Sequence, residues 1–166
     1  NSLTGKQLWA HTTKLGKNAL HKKNSYASAT PAVDAERVYV TFGDDEHHII
    51  QAFTHAGEEA WQYDLGPIDT QHGQGMSPIV YGDLVILCSD QRGPSMIVAL
   101  DRKTGKESWK TIREIREASY STPLIYKSSG HPDVLICEAG ISGHTGLDLK
   151  TGKQLWSTGP VEFRTC

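Results

Sequence analysis

The sequence predicts an all-β fold, namely a β-propeller fragment of about three four-stranded antiparallel blades. Two sets of residues recur at nearly fixed intervals, and no helical periodicity of useful length interrupts them. The first set is the tryptophans, which are separated by 52, 48 and 47 residues: Trp9, Trp61, Trp109 and Trp156. The second set is prolines separated by 47 and 45 residues: Pro31, Pro78 and Pro123. Four short strands in each period of this length are typical of propeller blades rather than of the shorter coils of a β-solenoid.

The strands of each period follow from the local pattern. The proline lies in the first strand, predicted at 28–33, 75–81 and 120–126, because proline cannot donate to a ladder and suits an edge. Apolar runs give the second and third strands, and the fourth strand carries the tryptophan. The predicted organisation is one partial propeller, 1–166, with an outer strand 4–10, blades 26–63, 75–110 and 119–157, and a tail 158–166.

Each tryptophan follows a glycine by four residues, and these glycines are Gly5, Gly57, Gly105 and Gly152. A tight hairpin between the third and fourth strands needs a residue with positive φ, which glycine adopts without strain. A tryptophan side chain buries about 150–250 Å². We therefore expect each tryptophan to dock on the glycine turn of an adjacent blade and to seal the seam between the two blades.

Composition excludes several classes of function. The chain has 166 residues, 37% of them hydrophobic, and a formal net charge of -2. This charge gives no basis for nucleic-acid binding, which needs a concentrated basic surface. No apolar run is long enough to predict a membrane span. Three cysteines without a Cys-x-x-Cys pattern argue against a zinc site, so Cys88 and Cys137 are predicted to be strand thiols, with Cys166 at the end of the sequence.

The segment Ala99-Leu100-Asp101-x-x-Thr104-Gly105-Lys106-x-x-Trp109 resembles the tryptophan-docking repeat of the pyrroloquinoline-quinone (PQQ) repeat propellers. The resemblance covers nearly the whole chain. It implies intact rings of about seven or eight blades, so three blades indicate a fragment. The expected partners are then the remaining blades of the same propeller or a second copy, through exposed blade faces, with another protein as a further partner. The resemblance also implies an extracytoplasmic location, either periplasmic or secreted.

The family includes a non-catalytic outer-membrane assembly scaffold and quinone-dependent alcohol dehydrogenases. The resemblance implies that such dehydrogenases cover the quinone with two adjacent cysteines and hold calcium with acidic and amide side chains. This sequence has no Cys-Cys pair, and no calcium or catalytic-base motif maps onto it residue by residue. The preferred interpretation is a non-catalytic scaffold that binds a protein or ligand and needs no cofactor. The alternative is a fragment of a PQQ- and calcium-dependent dehydrogenase.

Candidate binding residues lie in loops predicted on the rim opposite the glycine hairpins, where propellers usually contact ligands. His72 and Gln74 precede a first strand and are candidates for the channel mouth. A second candidate group, for an anionic ligand or a partner, comprises Asp90, Arg92, Arg113 and Arg116, for which ordinary surface charge is the alternative.

A further loop, with the sequence Asp44-Asp45-Glu46-His47-His48, contains the side-chain types that bind divalent metals. Neighbouring histidines at a strand edge point apart, so a solvated turn is the alternative to a metal site. Asp44, Asp45 and His47 are therefore weak candidates for metal ligands.

Overall fold

The computed structural model describes residues 1–16, 21–22, 24–115 and 117–160. In these residues twelve strands form three separate four-stranded antiparallel sheets, and no α-helix is present. Within each sheet the strands are hydrogen-bonded in chain order. The repetition of one four-stranded meander confirms the predicted fold class, a β-propeller fragment.

The bounds of the strands are as follows. The first blade comprises β1 (Ala32–Val33), β2 (Arg37–Gly43), β3 (His48–Thr54) and β4 (Glu59–Asp64). The second comprises β5 (Ile79–Tyr81), β6 (Leu84–Ser89), β7 (Ser95–Asp101) and β8 (Glu107–Arg113). The third comprises β9 (Leu124–Tyr126), β10 (Val134–Glu138), β11 (His144–Asp148) and β12 (Gln154–Ser157), with a 3₁₀ turn at Gly140–Ser142.

The first strand of each blade is shorter than predicted. Pro31, Pro78 and Pro123 lie directly before β1, β5 and β9 instead of inside them. Because proline has no backbone N–H, ladder pairing starts only at the residue that follows it.

The segment 4–10, predicted as an outer strand, is not assigned as a strand. A strand requires backbone hydrogen bonds to a neighbouring strand, and this segment pairs with none in the described part of the chain. It passes the first blade instead, where the indole Nε1 of Trp9 donates to the backbone oxygen of His55 at 3.0 Å.

The glycine hairpins of the second and third blades share one local design, seen most clearly between β7 and β8. The Oδ1 atom of Asp101 accepts the backbone N–H groups of Lys103 at 3.1 Å and Thr104 at 2.8 Å. Gly105 then takes a φ of 71°. Asp148 and Gly152 repeat this arrangement in the third blade, with a φ of 69° at the glycine. The aspartate turn thus fixes the glycine in the left-handed conformation.

Two hydrophobic clusters join the three blades. The first seam, between blades one and two, has a core made mainly of inward-facing residues of β2, β3, β6 and β7: Tyr39, Ile50, Ala52, Val85, Leu87, Val98 and Leu100. The second seam, between blades two and three, has the core Ile86, Cys88, Ile97, Ala99, Leu135, Cys137, Leu147 and Leu149. Alternate residues of β6 and β7 face opposite seams, as the period of two in a strand requires.

A tryptophan of one blade lies on the glycine turn of the next blade at both seams. Trp61 donates its Nε1 proton to the backbone oxygen of Arg102 at 3.0 Å, and a Cβ atom on Gly105 would lie 2.6 Å from its indole ring. Trp109 donates to the backbone oxygen of Leu149 at 3.0 Å and faces Gly152 in the same way. The absence of a side chain at each glycine is what admits the indole.

Trp156 departs from this arrangement and from the prediction that every tryptophan docks on an adjacent blade. Its exposed fraction is 40%, against 7% for Trp109. Its ring lies against Gly146 of its own blade, and no turn of a following blade is present among the described residues. Of the other two repeat glycines, Gly57 lies against the ring of Trp9, which a Cβ atom would approach to 2.6 Å, and Gly5 has nothing within 4 Å of a Cβ position.

Candidate functional site

The candidate residues lie on one rim of the blades, here called the loop rim. It consists of the described parts of the connections between second and third strands and between successive blades, at 44–47, 65–78, 90–94, 114–115, 117–123 and 139–143. In an antiparallel meander these connections leave the sheets at the same end, and the glycine hairpins leave at the other. The loop rim therefore gathers segments from all three blades.

A polar cavity of about 590 Å³ opens where the segments preceding the first strands meet, and we call it the channel-mouth cavity. Its lining residues are His21, Asn24, Ser28, Thr30, His72, Gly75, Ser77, Tyr120 and Thr122. Hydroxyl, amide and imidazole groups predominate, with no carboxylate or cationic amine among them. This chemistry suits a small polar group rather than an ion of high charge.

His72 lies in this cavity, between segments of two blades. Its ring centroid is 4.9 Å from that of His21 and 6.1 Å from that of Tyr120. The Asn24 side-chain amide donates to the backbone oxygen of His72 at 2.5 Å. The Nδ1 atom of His72 is buried without a hydrogen-bond partner in the described part of the chain. A buried polar atom of this kind is available to a ligand.

Gln74 does not join His72, although the two were predicted together. Its Nε2 atom donates to Thr41 Oγ1 at 2.8 Å and to the backbone oxygen of Met76 at 3.1 Å. Gln74 borders a different cavity of about 510 Å³ on the free face of the first blade, beside Trp9 and Phe53. The first role of Gln74 is thus to tie the blade connection to β2.

Asp90 and Arg113 form a buried ion pair. Arg113 Nη1 lies 2.7 Å from Asp90 Oδ2, and the two side chains are 6% and 1% exposed. Burial raises the pKa of Asp90 to about 6, against the opposing effect of the Arg113 guanidinium. Arg113 is therefore a compensated interior charge, neither the surface charge nor the free anion site that the sequence suggested.

The rest of this predicted group is dispersed. Arg92 is exposed on the loop rim, and its backbone N–H donates to the oxygen of Asp69 at 2.9 Å. Arg116 lies outside the described residues. Of the four candidates, the structure brings together Asp90 and Arg113 and leaves Arg92 facing solvent.

The metal candidates are arranged as a turn. Asp44 is buried, and its Oδ1 atom accepts the backbone N–H groups of Glu46 at 2.9 Å and His47 at 2.8 Å. Its Oδ2 atom accepts the N–H of Gly16 at 2.7 Å. Asp45 is exposed, and His47 faces Asp64, with 2.7 Å between Nδ1 and Oδ2. The described residues contain no group of three His, Cys, Asp or Glu side chains placed to hold a metal ion.

Two buried polar residues, His48 at the start of β3 and Gln91 in the loop rim, were not singled out from the sequence. His48 is fully buried with its Nδ1 atom 3.0 Å from Ser89 Oγ, and burial lowers its pKa to about 4. The Oε1 atom of Gln91 accepts the N–H of Asp69 at 2.6 Å, while its Nε2 atom donates to the oxygen of Pro94 at 2.9 Å. In the sequence, only the apolar residues that follow His48 indicate that it is buried.

The buried carboxylates and cysteines of the described residues are not arranged as the resemblance to the dehydrogenases implies for a quinone and calcium site. Both oxygens of Asp44 accept backbone N–H groups, and Oδ2 of Asp90 pairs with Arg113, while Oδ1 of Asp90 is buried without a hydrogen-bond partner among the described residues. The two described cysteines, Cys88 and Cys137, lie in the second seam and not over the channel mouth. We therefore assign no reaction step to the described residues.

The sequence profile of the family described as outer membrane protein assembly factor BamB matches residues 1–162. The chain belongs to this family of PQQ-repeat propellers. No curated protein matches the sequence. In the part of the chain that the structure describes, no helix has the length and apolar character to span a membrane.

Solved structures with the same fold come from both scaffold proteins and enzymes. BamB from Moraxella catarrhalis superposes with a TM-score of 0.56 at 15% identity, covering 80% of this chain and 36% of that one. The quinohemoprotein alcohol dehydrogenase ADHIIG from Pseudomonas putida HK5 superposes with a TM-score of 0.66 at 18% identity, and the match covers 94% of this chain and 30% of that one. The computationally designed Ika4 protein superposes with a TM-score of 0.55 at 15% identity, and the match covers 92% of this chain and 84% of that one. The chain thus spans about a third of the two natural proteins.

Proposed function

We propose that this chain is part of a non-catalytic PQQ-repeat propeller that binds another protein through its loop rim. The family match to an outer membrane assembly factor supports this proposal. An extracytoplasmic location belongs to the same proposal, because the family description concerns the assembly of outer membrane proteins.

The observation that carries the proposal is the way the polar side chains of the rim are used. Asp44, Asp90 and Gln91 all turn inward: Asp44 binds a backbone group of its own loop, Asp90 pairs with Arg113 of β8, and Gln91 binds the backbone of the 65–78 connection. Such bonds hold the loops in one conformation before any partner arrives, which lowers the entropic cost of binding. A rim of preformed loops is suited to recognition by shape.

The exposed charges of the rim define the surface that a partner would meet. Arg92 projects from the second blade, Asp45 and Glu46 from the first, and Glu117 from the connection to the third. Because charges of both signs are interspersed, we expect a polar protein surface as the partner rather than a nucleic acid or a membrane.

A photo-crosslinking experiment tests this proposal. A photoreactive amino acid replaces Arg92 or Glu46 on the loop rim, and Lys103 or Lys150 on the hairpin rim serves as the matched control. In host cells, discrete protein adducts are expected from the loop rim only. Arg92→Glu should weaken adduct formation at Glu46, and adducts of equal yield from both rims would contradict the proposal.

The alternative, a fragment of a quinone-dependent dehydrogenase, is supported by the fold shared with ADHIIG. A titration of the chain with PQQ and calcium, followed by absorbance and by dye reduction with an alcohol, separates the two. We expect neither saturable binding nor turnover. Saturable quinone binding with dye reduction would favour the dehydrogenase instead.

A further inference from the structure

Cys88 and Cys137 face each other across the second seam. Cys88 ends the apolar run of β6 in the second blade, and Cys137 lies on β10 in the third. Their Sγ atoms are 2.8 Å apart, and the exposed fractions of the two residues are 4% and 1%. A disulfide bond is about 2.0 Å long, so only a small adjustment of the two side chains is needed to bring the sulfur atoms to bonding distance.

Strand register explains why these two positions meet. Cys88 pairs with Ile97 and faces forward into the second seam, whereas Leu87 faces back into the first. On β10, Cys137 pairs with Thr145 and faces back towards the second blade.

The first seam provides an internal comparison. The blades can be aligned on the third-strand residue that pairs with each tryptophan. In this alignment Thr41 of the first blade is equivalent to Cys88, and Leu87 of the second blade is equivalent to Cys137. A hydroxyl and an alkyl side chain stand there, and Thr41 donates to the backbone oxygen of Met76. The repeat itself therefore does not require two thiols at this contact.

We propose that Cys88 and Cys137 form a disulfide that links the second and third blades. This inference goes beyond the proposed function and does not depend on it. Ile86, Leu135 and Leu147 lie in the same cluster, and the two charged groups that act on Cys88, namely Asp90 and Arg113, are paired with each other.

The oxidation requires a disulfide compound as the oxidant. One cysteine thiolate attacks that disulfide, forms a mixed disulfide and releases one thiol. The second cysteine, as its thiolate, attacks the mixed disulfide at the protein sulfur and releases the second thiol. The protein loses two protons and two electrons, and the oxidant is reduced to two thiols. Because the folded seam buries both sulfur atoms, the exchange takes place while the blades are assembling.

The link would join residues that are 49 positions apart in sequence. A cross-link of this span restricts the unfolded chain, and disulfides that close long loops generally stabilise the folded state. It would also hold the two blades between which Trp109 is docked. The oxidised chain should therefore unfold at a higher urea concentration than the reduced chain.

The test uses the full chain carrying Cys166→Ser, so that only these two thiols remain. It is refolded in a glutathione redox buffer and analysed by intact mass, thiol titration in denaturant and peptide mapping. The expected result is a mass lower by two hydrogen atoms, no titratable thiol and one linked peptide pair containing Cys88 and Cys137. Reduction should lower the urea midpoint of this variant but not that of Cys137→Ser/Cys166→Ser.

Two outcomes would overturn the proposal. One is a refolded Cys166→Ser chain with a native β-sheet spectrum that still has two titratable thiols. The other is a linked peptide in the wild-type chain that joins Cys166 to either strand cysteine instead. Mapping of the wild-type chain keeps the test decisive if the substituted chains fail to fold.

Discussion

Trp109 and Trp156 occupy the same place in the repeat, yet they lie in different surroundings. Trp109 is sealed in the second seam, with its indole N–H bonded to Leu149 and its ring on Gly152. Trp156 stands on the free face of the third blade and is 40% exposed. The difference shows that the Gly-x-x-x-Trp motif supplies only half of a docking contact. The other half is the glycine turn of the next blade.

The largest effect should come from removing the docked ring. Trp109→Ala should lower the free energy of unfolding by about 3–5 kcal/mol, because a large buried side chain and its hydrogen bond are lost. Trp156→Ala is the matched control and should cost about 1 kcal/mol or less, since its ring has no adjacent blade to seal. Urea denaturation measures both, and a loss below about 1 kcal/mol for Trp109→Ala would remove its sealing role.

A loss of similar size is expected at the loop-rim end of the strand that carries Trp109. Arg113→Met leaves the Asp90 carboxylate buried without its partner, which should cost about 3–5 kcal/mol at neutral pH. Lys110→Met is the control on the same strand, because the Lys110–Glu107 pair is partly solvent-exposed and should contribute less than about 1 kcal/mol. Equal losses for the two variants would show that the buried pair has no special importance.

A smaller effect is expected from the glycine side of the contact. Gly152→Ala forces a Cβ atom into the Trp109 ring and strains a residue with a φ of 69°, so we expect a loss of about 2–4 kcal/mol. Gly82→Ala isolates the backbone strain, because this glycine has a φ of 55° and nothing within 4 Å of the Cβ position. It should cost about 1–2 kcal/mol. If thermal or urea unfolding shows the same loss for both, the indole does not need the glycine.

The pH dependence of stability should contain two opposing contributions, from His48 at the start of β3 and from Asp90 in the loop rim. The pKa of His48 falls from 6.5 to about 4 on folding. The unfolded chain therefore takes up a proton first, and the free energy of unfolding decreases by up to about 3 kcal/mol as the pH falls through this range. The pKa of Asp90 rises from 3.8 to about 6. Protonation of Asp90 therefore stabilises the folded chain at low pH, and this stabilisation is lost as the pH rises through about 6.

Single substitutions separate these contributions. His48→Asn should make the chain less sensitive to acid between about pH 7 and pH 4, and Asp90→Asn should make it more sensitive. Urea unfolding at several pH values across this range measures the slope of the free energy of unfolding against pH. Slopes that match the wild-type chain in both variants would show that neither group changes its protonation on folding.

The sequence was sufficient for the blades, because their determinants are local and repeated. Apolar runs place β2 and β3, and the glycine of each hairpin sets the turn before the tryptophan. The outer strand at 4–10 stays a prediction, because this segment pairs with no strand among the described residues. Strand pairing depends on a neighbour, which residue pattern alone does not supply.

The candidate site was less predictable, since its residues act through contacts between distant segments. His72 and Gln74 are two positions apart, yet they border different cavities. Asp90 and Arg113 are 23 positions apart and form one buried pair. Charge in a loop predicts exposure in general, and only the packing of β8 against the β6–β7 loop removes this pair from water.

Hydrogen exchange of the indole N–H protons, followed by NMR, tests the docking of the tryptophans most directly. The account predicts slow exchange for Trp61 and Trp109, whose protons are bonded to backbone oxygens of the next blade, and fast exchange for Trp156. Exchange of all these indole protons at the same rate would contradict the claim that docking depends on an adjacent blade.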